Sequence, residues 1–461
     1  MMLPATPLAK KPSEPQLVEI EKPVYGGTFL ARLEGKAVFV PLTLPGEQAR
    51  VRITKAKPGY ATAEVEEIVR AAPERVVPAC PHFGTCGGCH YQHTDYATQL
   101  AFKQAILRET LERGGVRVPD EMAVLAGEPQ SWAYRNRIRL AFDAAGNLGY
   151  RGRRSHGVVP VRACPIAAPL LVEAALAFSE AVREFAPKLH PTDEDLSVGA
   201  PALRPTEIAL FCNAAETVLL ATVFTSSPAK LRIDELAQAW HLQIPALTGA
   251  ELVTEGRPGQ QPRTLAQWGA ASLNYHAAGF NYRVDHGAFF QVNRWLVDSL
   301  VERVVAGHRG NLAWDLFAGV GLFARQLTAN FARVVAVESA PSATTALAAN
   351  LKGTAGTPVK SDTLDFLRAH ASHRPAGVTF GSEVPDLIVV DPPRTGLGAE
   401  SCALLGQIAA PALAYVSCDP ATLARDLRAL VASGYQIQSI TLADLFPQTF
   451  HLETVVHLRR A

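Results

Sequence analysis

One rhythm leaves few folds open to this chain: an apolar strand, a glycine-rich turn and a helix, repeated. From about Leu296 the sequence runs NLAWDLFAGVGLFARQL, RVVAVESAPSATTALAANL, DLIVVDPPRTGL and LAYVSCDPATLARDL. Strands apolar on both faces need cover on both faces, and intervening helices provide it for a parallel sheet. The expectation is an α/β fold with a doubly wound parallel sheet. Its ligand crevice should lie beyond the carboxyl ends of the strands.

Several strand ends carry unusual turns. After AWDLF come Gly319-Val320-Gly321-Leu322-Phe323-Ala324, a G-x-G-x-x-A pattern. Its glycines let backbone approach a ligand, and the following helix N-terminus favours electron-rich groups. Seventeen residues past Gly321, Glu338 ends the strand VVAVE, where an acid can accept both ribose hydroxyls of an adenosine. The pattern suits NAD, FAD and S-adenosylmethionine equally, and also a purely structural turn. Asp391-Pro392-Pro393-Arg394 ends DLIVV; an acid followed by two ring-fixed residues either sets polar groups beside the crevice or caps a turn.

Cys418, in YVSCDPATLARDL, stands between a strand and a helix. A thiol facing a helix N-terminus has a lowered pKa, and an α/β nucleophile belongs at that place. A strand cysteine is otherwise packing, but Ser417, Asp419 and Arg425 are company that packing does not need. Towards the C-terminus, DLFPQTFHLETVVHL brings His451 and Glu453 before an apolar strand, so Glu453 is either a proton acceptor or a solvated loop acid. FFQVN offers Gln291 and Asn293 as polar contacts for a small molecule.

Three of the seven cysteines, Cys80, Cys86 and Cys89, share the spacing C-x5-C-x2-C. The nearby imidazoles are His82, His90 and His93, while Cys164 precedes a proline, as cluster ligands often do. Completed by Cys164, the set reads as a 4Fe–4S site, with zinc as the alternative. Between Ser131 and Cys164 lie Arg135, Arg137, Arg139, Arg151, Arg153, Arg154 and Arg162 against one acid, Asp143. Trp132, Tyr134, Phe142 and Tyr150 are interleaved with them. That composition suits a phosphate-contacting, base-stacking surface, or a solvated face.

Upstream, TFLARL, KAVFVPL, QARVRI and ATAEVEEI alternate apolar and polar residues between Gly and Pro turns, which suggests a small β-barrel. Tyr96 to Arg113 reads as a helix stopped by Gly114-Gly115. RNRIRLAF with LGYRG, and EIALFC with TVLLATVF, read as strand pairs. At 461 residues the chain exceeds one core. A formal net charge of +1 gives no global sign of nucleic acid, so any basic surface must be local. The opening MMLPATPLAKKPSEPQ reads as a short disordered tail without a signal peptide. Cys402 to Cys418, the most apolar stretch, is broken by Gly406, Gln407 and Pro411 and cannot span a bilayer. A cytoplasmic, reducing compartment is expected, where clustered cysteines serve metals or catalysis.

Together these motifs resemble the RNA (uracil-5-)-methyltransferase family over nearly the whole chain. YGGTFLARLEGKAVFVPLTLPGE is similar to the TRAM RNA-binding module. Cys80, Cys86, Cys89 and Cys164 resemble the family's 4Fe–4S ligands, and FFQVN, DLFAGVG, DPPRTGL, SCDPATLARDL and FPQTFHLE follow in its order. The resemblance implies three domains. Residues 14–72 would be an OB-like barrel and 73–285 a central α+β iron–sulfur and RNA-binding domain. Residues 286–461 would be a Rossmann-like class I S-adenosylmethionine-dependent methyltransferase domain, with the helix at 95–114 packed on it.

By the same resemblance Cys418 is the nucleophile and Glu453 the base. Gln291, Phe317, Gly319, Gly321, Glu338, Asp362 and Asp391 would hold the methyl donor. The implied activity is methylation of carbon 5 of one uridine, in ribosomal RNA or alternatively at uridine 54 of transfer RNA, by a monomer. A non-catalytic RNA-binding or assembly protein and a dinucleotide-dependent oxidoreductase are the rival classes. Ala318 stands where the family often has Cys, and Asp419 where it often has Asn.

Overall fold

The computed structural model describes residues 14–127, 130–143, 145–189, 205–226, 233–254, 263–371 and 383–461; most of the tail expected to be disordered lies outside these. The chain forms two compact units. The first takes the chain up to Ala79, Cys89–Ile106 and Gln448–Phe450; the second takes Cys80–Gly88, Leu107–Pro447 and His451–Ala461.

In the first unit, Gln16–Val24, Thr28–Leu33, Lys36–Pro41, Tyr60–Arg70 and Gln48–Ala56 close into a barrel in that spatial order. Period-two alternation turns Val18, Ile20, Phe29, Ala31, Val38, Val40, Ala49 and Val51 inward as its core. Glu47 is fully buried beneath it. Burial works against its charge, but Arg75 and the N–H groups of Ala72 and Leu44 outweigh that, holding its carboxyl below the usual range. The helix Tyr96–Arg113 begins at Asp95, whose carboxylate accepts from Thr98 N at 2.8 Å. Its Phe102 joins the barrel core. From Leu107 it belongs to the second unit, where Gly114 lies against Ala424 too closely for any side chain.

The second unit holds two large sheets. A seven-stranded one runs Thr264–Gly269, Leu247–Thr254, Leu219–Thr225, Pro205–Cys212, Arg137–Phe142, Leu148–Arg151 and Val158–Pro160. Helices Pro169–Leu189 and Ile233–Gln243 supply Phe178 and Trp240 to its core. Both strand pairs expected here pair as antiparallel neighbours.

The other sheet has eight strands, ordered Gly356–Lys360, Phe331–Glu338, Gly310–Leu316, Leu387–Val390, Ala412–Ser417, Glu453–Arg460, Tyr435–Ala443 and Ala123–Leu125. The first five are mutually parallel, and the central Gly310–Leu316, Leu387–Val390 and Ala412–Ser417 are nearly wholly buried, as a strand covered on both faces must be. Glu453–Arg460 then runs antiparallel to Ala412–Ser417, and Tyr435–Ala443 antiparallel to it. The sheet is therefore mixed at one edge rather than parallel throughout. Strand order reverses between Gly310–Leu316 and Leu387–Val390, so the crevice opens beyond Leu316 and Val390. No helix among the described residues is long and apolar enough to cross a membrane.

Candidate active site

Chain geometry alone gathers the expected residues at this switch point. Phe317, Ala318 and Gly319 leave the end of one central strand, Asp391 leaves its neighbour, and Cys418 leaves the next. Ser417 pairs with Thr454 as the last rung of its ladder, one residue before Cys418 and one after Glu453.

The glycine turn is built for close approach. Phe317 has φ 65°, Gly319 φ 56° and Gly321 φ 91°; three left-handed residues in five fold the turn tightly, and the non-glycine one carries strain. A Cβ on Gly319 would meet nothing within 4 Å, which leaves an open cradle, while one on Gly321 would strike Leu347. Glu338 crosses to this turn: Oε2 accepts from Gly319 N at 2.9 Å, and Oε1 accepts from Ser339 N and Ala340 N at 2.8 and 2.7 Å. With three of about four lone-pair sites so used, one remains on Oε2 for a further donor. Asp362 is exposed at the start of helix Thr363–Ala371, accepting from Leu364 N at 2.8 Å. The cradle and the spare acceptor fit an adenosyl donor.

Asp315, in the strand just before the turn, was absent from the expected set. It has no exposure; Oδ2 accepts from Ala324 N at 2.7 Å, whereas Oδ1 is buried without a partner among the described residues. Burial pushes its carboxyl up to about 8, with the charges of Asp391 and Glu338 adding to the shift. An acid in the midst of the apolar run LAWDLF was the available signal.

Cys418 departs from expectation in its protonation. Burial pushes its thiol up to about 12, the charges of Glu453 and Asp391 push the same way, and Arg394 opposes them. Helix Pro420–Ala432 should have lowered it, but the Asp419 carboxylate caps that helix, accepting from Ala421 N and Thr422 N at 3.0 Å each. An anion on the free N–H groups cancels the positive end before the thiol feels it. Burial likewise raises Asp391, to about 7, and raises the buried Glu453 well above the carboxylate range. Asp391 raises Glu453 further, against Arg394.

The loop after Asp391 is clamped to that helix. Asp426, nearly fully buried, accepts from Leu397 N at 2.7 Å, Tyr415 O–H at 2.8 Å and Arg425 Nε at 2.9 Å. Arg425 donates to Thr395 O and Thr422 to Arg394 O. Arg394 Nη2 reaches His451 Nδ1 at 3.2 Å. Arg394 and Asp426 thus hold the site together without having been singled out for that role.

Gln291 is buried, its backbone carbonyl accepting from Asn136 Nδ2 at 3.0 Å. Asn293 is structural: its amide donates to Leu445 O, and its oxygen accepts from Trp295 N and Leu296 N.

The arginine region is only partly a free surface. Arg137 donates to Ala288 O and stacks 4.2 Å from the Phe211 centroid, and burial lowers it to about 10. Arg139 and Arg151 share Glu207. Tyr134 is wholly buried and donates to Pro447 O, so it is not available to stack on a base. Arg154 and Arg162 remain exposed.

Cys80, Cys86 and Cys164 are half-buried. Burial, and then the charge of Cys164, push up the thiols of Cys80 and Cys86. The Tyr150 hydroxyl shares a hydrogen bond with Cys164. Cys89 belongs to the first unit. Among the described residues no three His, Cys, Asp or Glu side chains converge tightly enough to hold a metal ion. The donor set itself, soft thiols whose charges repel, is one that a cluster or zinc would satisfy.

A parallel sheet ending in an antiparallel hairpin, with a glycine turn, a thiol and buried acids at neighbouring strand ends, is a methyltransferase-like class of site. The model for tRNA (Uracil-5-)-methyltransferase matches residues 265–461 and that for the TRAM domain residues 10–65. An uncharacterized RNA methyltransferase of Streptomyces avermitilis is 33% identical, over 96% of this chain and 98% of that protein. The 23S rRNA (uracil(1939)-C(5))-methyltransferase RlmD of Enterobacter sp. (strain 638) is 31% identical over 93% of each. The crystal structure of Pyrococcus abyssi tRNA (uracil-54, C5)-methyltransferase in complex with S-adenosyl-L-homocysteine shares the fold, with TM-score 0.73 and 22% identity over 96% and 99% of the two chains. The chain belongs to the RNA (uracil-5-)-methyltransferase family, whose members take their methyl group from S-adenosylmethionine.

Proposed function

We propose that this enzyme methylates carbon 5 of a uridine in 23S rRNA, with Cys418 as nucleophile and Glu453 as base. The observation that carries the mechanism is that the Glu453, Asp391 and Arg394 charges all act on the Cys418 thiol, which follows the last rung, Ser417 to Thr454, of the ladder that Glu453 begins. The choice of ribosomal RNA is supported by the full-length similarity to relatives named for that substrate.

Carbon 5 of uracil is a weak nucleophile. Cys418, once deprotonated, adds its sulfur to carbon 6, and the displaced π electrons make carbon 5 an enolate carbon. When bound, S-adenosylmethionine supplies the electrophilic methyl group that carbon 5 takes up. Glu453, after giving up its own proton to solvent, accepts the hydrogen of carbon 5 as a proton, and the freed electron pair expels the sulfur. Arg394 supplies positive charge beside the developing anion. Gln291, Phe317, the Gly319–Gly321 cradle, Glu338, Asp362 and Asp391 are the residues assigned to the donor. Glu338 would offer its remaining acceptor to a ribose hydroxyl, and Asp391 is assigned to the junction of donor and target base.

Cys80, Cys86, Cys89 and Cys164 are proposed to hold a 4Fe–4S cluster with a structural or RNA-shaping role, because methyl transfer is redox-neutral. Glu453→Gln provides the test of the base. Methylation should occur once but release should fail, so the RNA stays bonded to the protein and carries the new methyl group. Free methylated RNA formed at the wild-type rate would overturn the assignment. Mapping 5-methyluridine in RNA from cells lacking the protein distinguishes 23S rRNA from the runner-up, transfer RNA.

A further inference from the structure

At the opposite end of the eight-stranded sheet from Cys418 lies a second cavity of about 770 Å³. It opens where strand Ala412–Ser417 begins and Glu453–Arg460 ends, against the end of helix Val297–Val305. Arg303, Arg459, His308 and His457 line it, with Glu302 as the one acid and Leu125 on an apolar wall. Neither guanidinium makes an ion pair or side-chain hydrogen bond among the described residues. His457 Nε2 donates to the Arg303 carbonyl at 2.8 Å, which fixes its tautomer. Its Nδ1 therefore accepts from His308 Nε2 at 3.4 Å, and the two rings stack with centroids 5.4 Å apart and 24° between planes.

Four cationic or protonatable groups thus converge with one acid among them. Burial holds both imidazoles below their ordinary pKa. Like charge adds to this: His457 and Arg459 act on His308, and Arg303 acts on His457. A cluster of like charge left uncompensated in a concave site is relieved by an anion. The stacked rings and the apolar wall suit a flat base, and the volume exceeds that of a lone phosphate.

We propose that this cavity binds a nucleotide phosphate of the RNA substrate, at a point remote from the methylated uridine. The anion site stands on its own geometry; RNA as the source of the phosphate rests on the proposed function. It would act as an anchor, adding affinity without touching the reacting atoms.

The test follows the imidazole NMR signals of the full-length protein, assigned with His308→Asn, during titration with uridine 5′-monophosphate or an RNA substrate. Both ligands should raise the His308 and His457 pKa values by about one, as a near anion does. Arg303→Gln/Arg459→Gln should abolish that rise and lower the salt dependence of RNA binding by one to two phosphate contacts. S-adenosylmethionine binding, read by calorimetry, should be unchanged in that variant. This confirms its fold and keeps the result separate from any failure of methylation. A response to the mononucleotide but not to RNA would overturn RNA as the source; no response to either would overturn the site.

Discussion

Asp315 and Cys418 each hold a proton more firmly than an exposed counterpart would. For Asp315 the folded carboxyl titrates at about 8, against an ordinary value of 3.8. Between those values the folded state binds a proton that the unfolded chain has released. Its stabilising effect is therefore complete below about pH 4 and is lost as pH rises through 8. Asp315→Asn should flatten this segment of the stability curve, so the variant gains on wild type between pH 5 and 8. Denaturant midpoints at the two pH values check this; equal pH slopes would refute it. For Cys418 the resting thiol is protonated, so adduct formation should accelerate with pH from 6 to 9, approaching about tenfold per unit. Stopped-time trapping with 5-fluorouridine RNA measures that slope. The sequence had pointed to a lowered thiol pKa; what it hid was that Asp419 spends the helix end and that two carboxylates surround the sulfur.

Elements that alternate strictly were readable in advance, and those that depend on distant partners were not. The turn DLFAGVG, the strands ending at Asp391 and Cys418, and four barrel strands follow from local apolar period and glycine placement. The edge strand Ala123–Leu125 pairs with Tyr435–Ala443, more than 300 residues away, and three residues carry no periodicity to betray it. Tyr134 and Asn293 looked like ligand contacts because composition cannot say which face of a segment turns inward. The loop Asp391–Leu397 shows how much such partners matter. Gly396 has φ +72°, and a methyl there would strike Asp426 Oδ2 and Arg425 Nη2. Gly396→Ala should cost about 1–3 kcal/mol in strain and lower turnover more than tenfold, while S-adenosylmethionine affinity holds. Calorimetry and single-turnover rates check the pair; unaltered turnover would show that the loop clamp is irrelevant to chemistry.

For the whole molecule, the division of labour is between holding RNA and reacting with it. The barrel belongs to the TRAM domain match, and the crevice lies wholly within the second unit. If the four cysteines hold a cluster, Cys164→Ser should remove the visible absorbance of the anaerobically purified protein and weaken RNA binding, with donor binding intact. Retained absorbance would exclude Cys164 as a ligand. The central claim, that the Cys418 sulfur bonds to carbon 6 of the target uracil, is tested most directly by peptide mass spectrometry after reaction with S-adenosylmethionine and 5-fluorouridine RNA. The account predicts a nucleotide adduct on the peptide containing Cys418, absent from Cys418→Ser. An adduct on any other residue, or free methylated product from the serine variant, would contradict it.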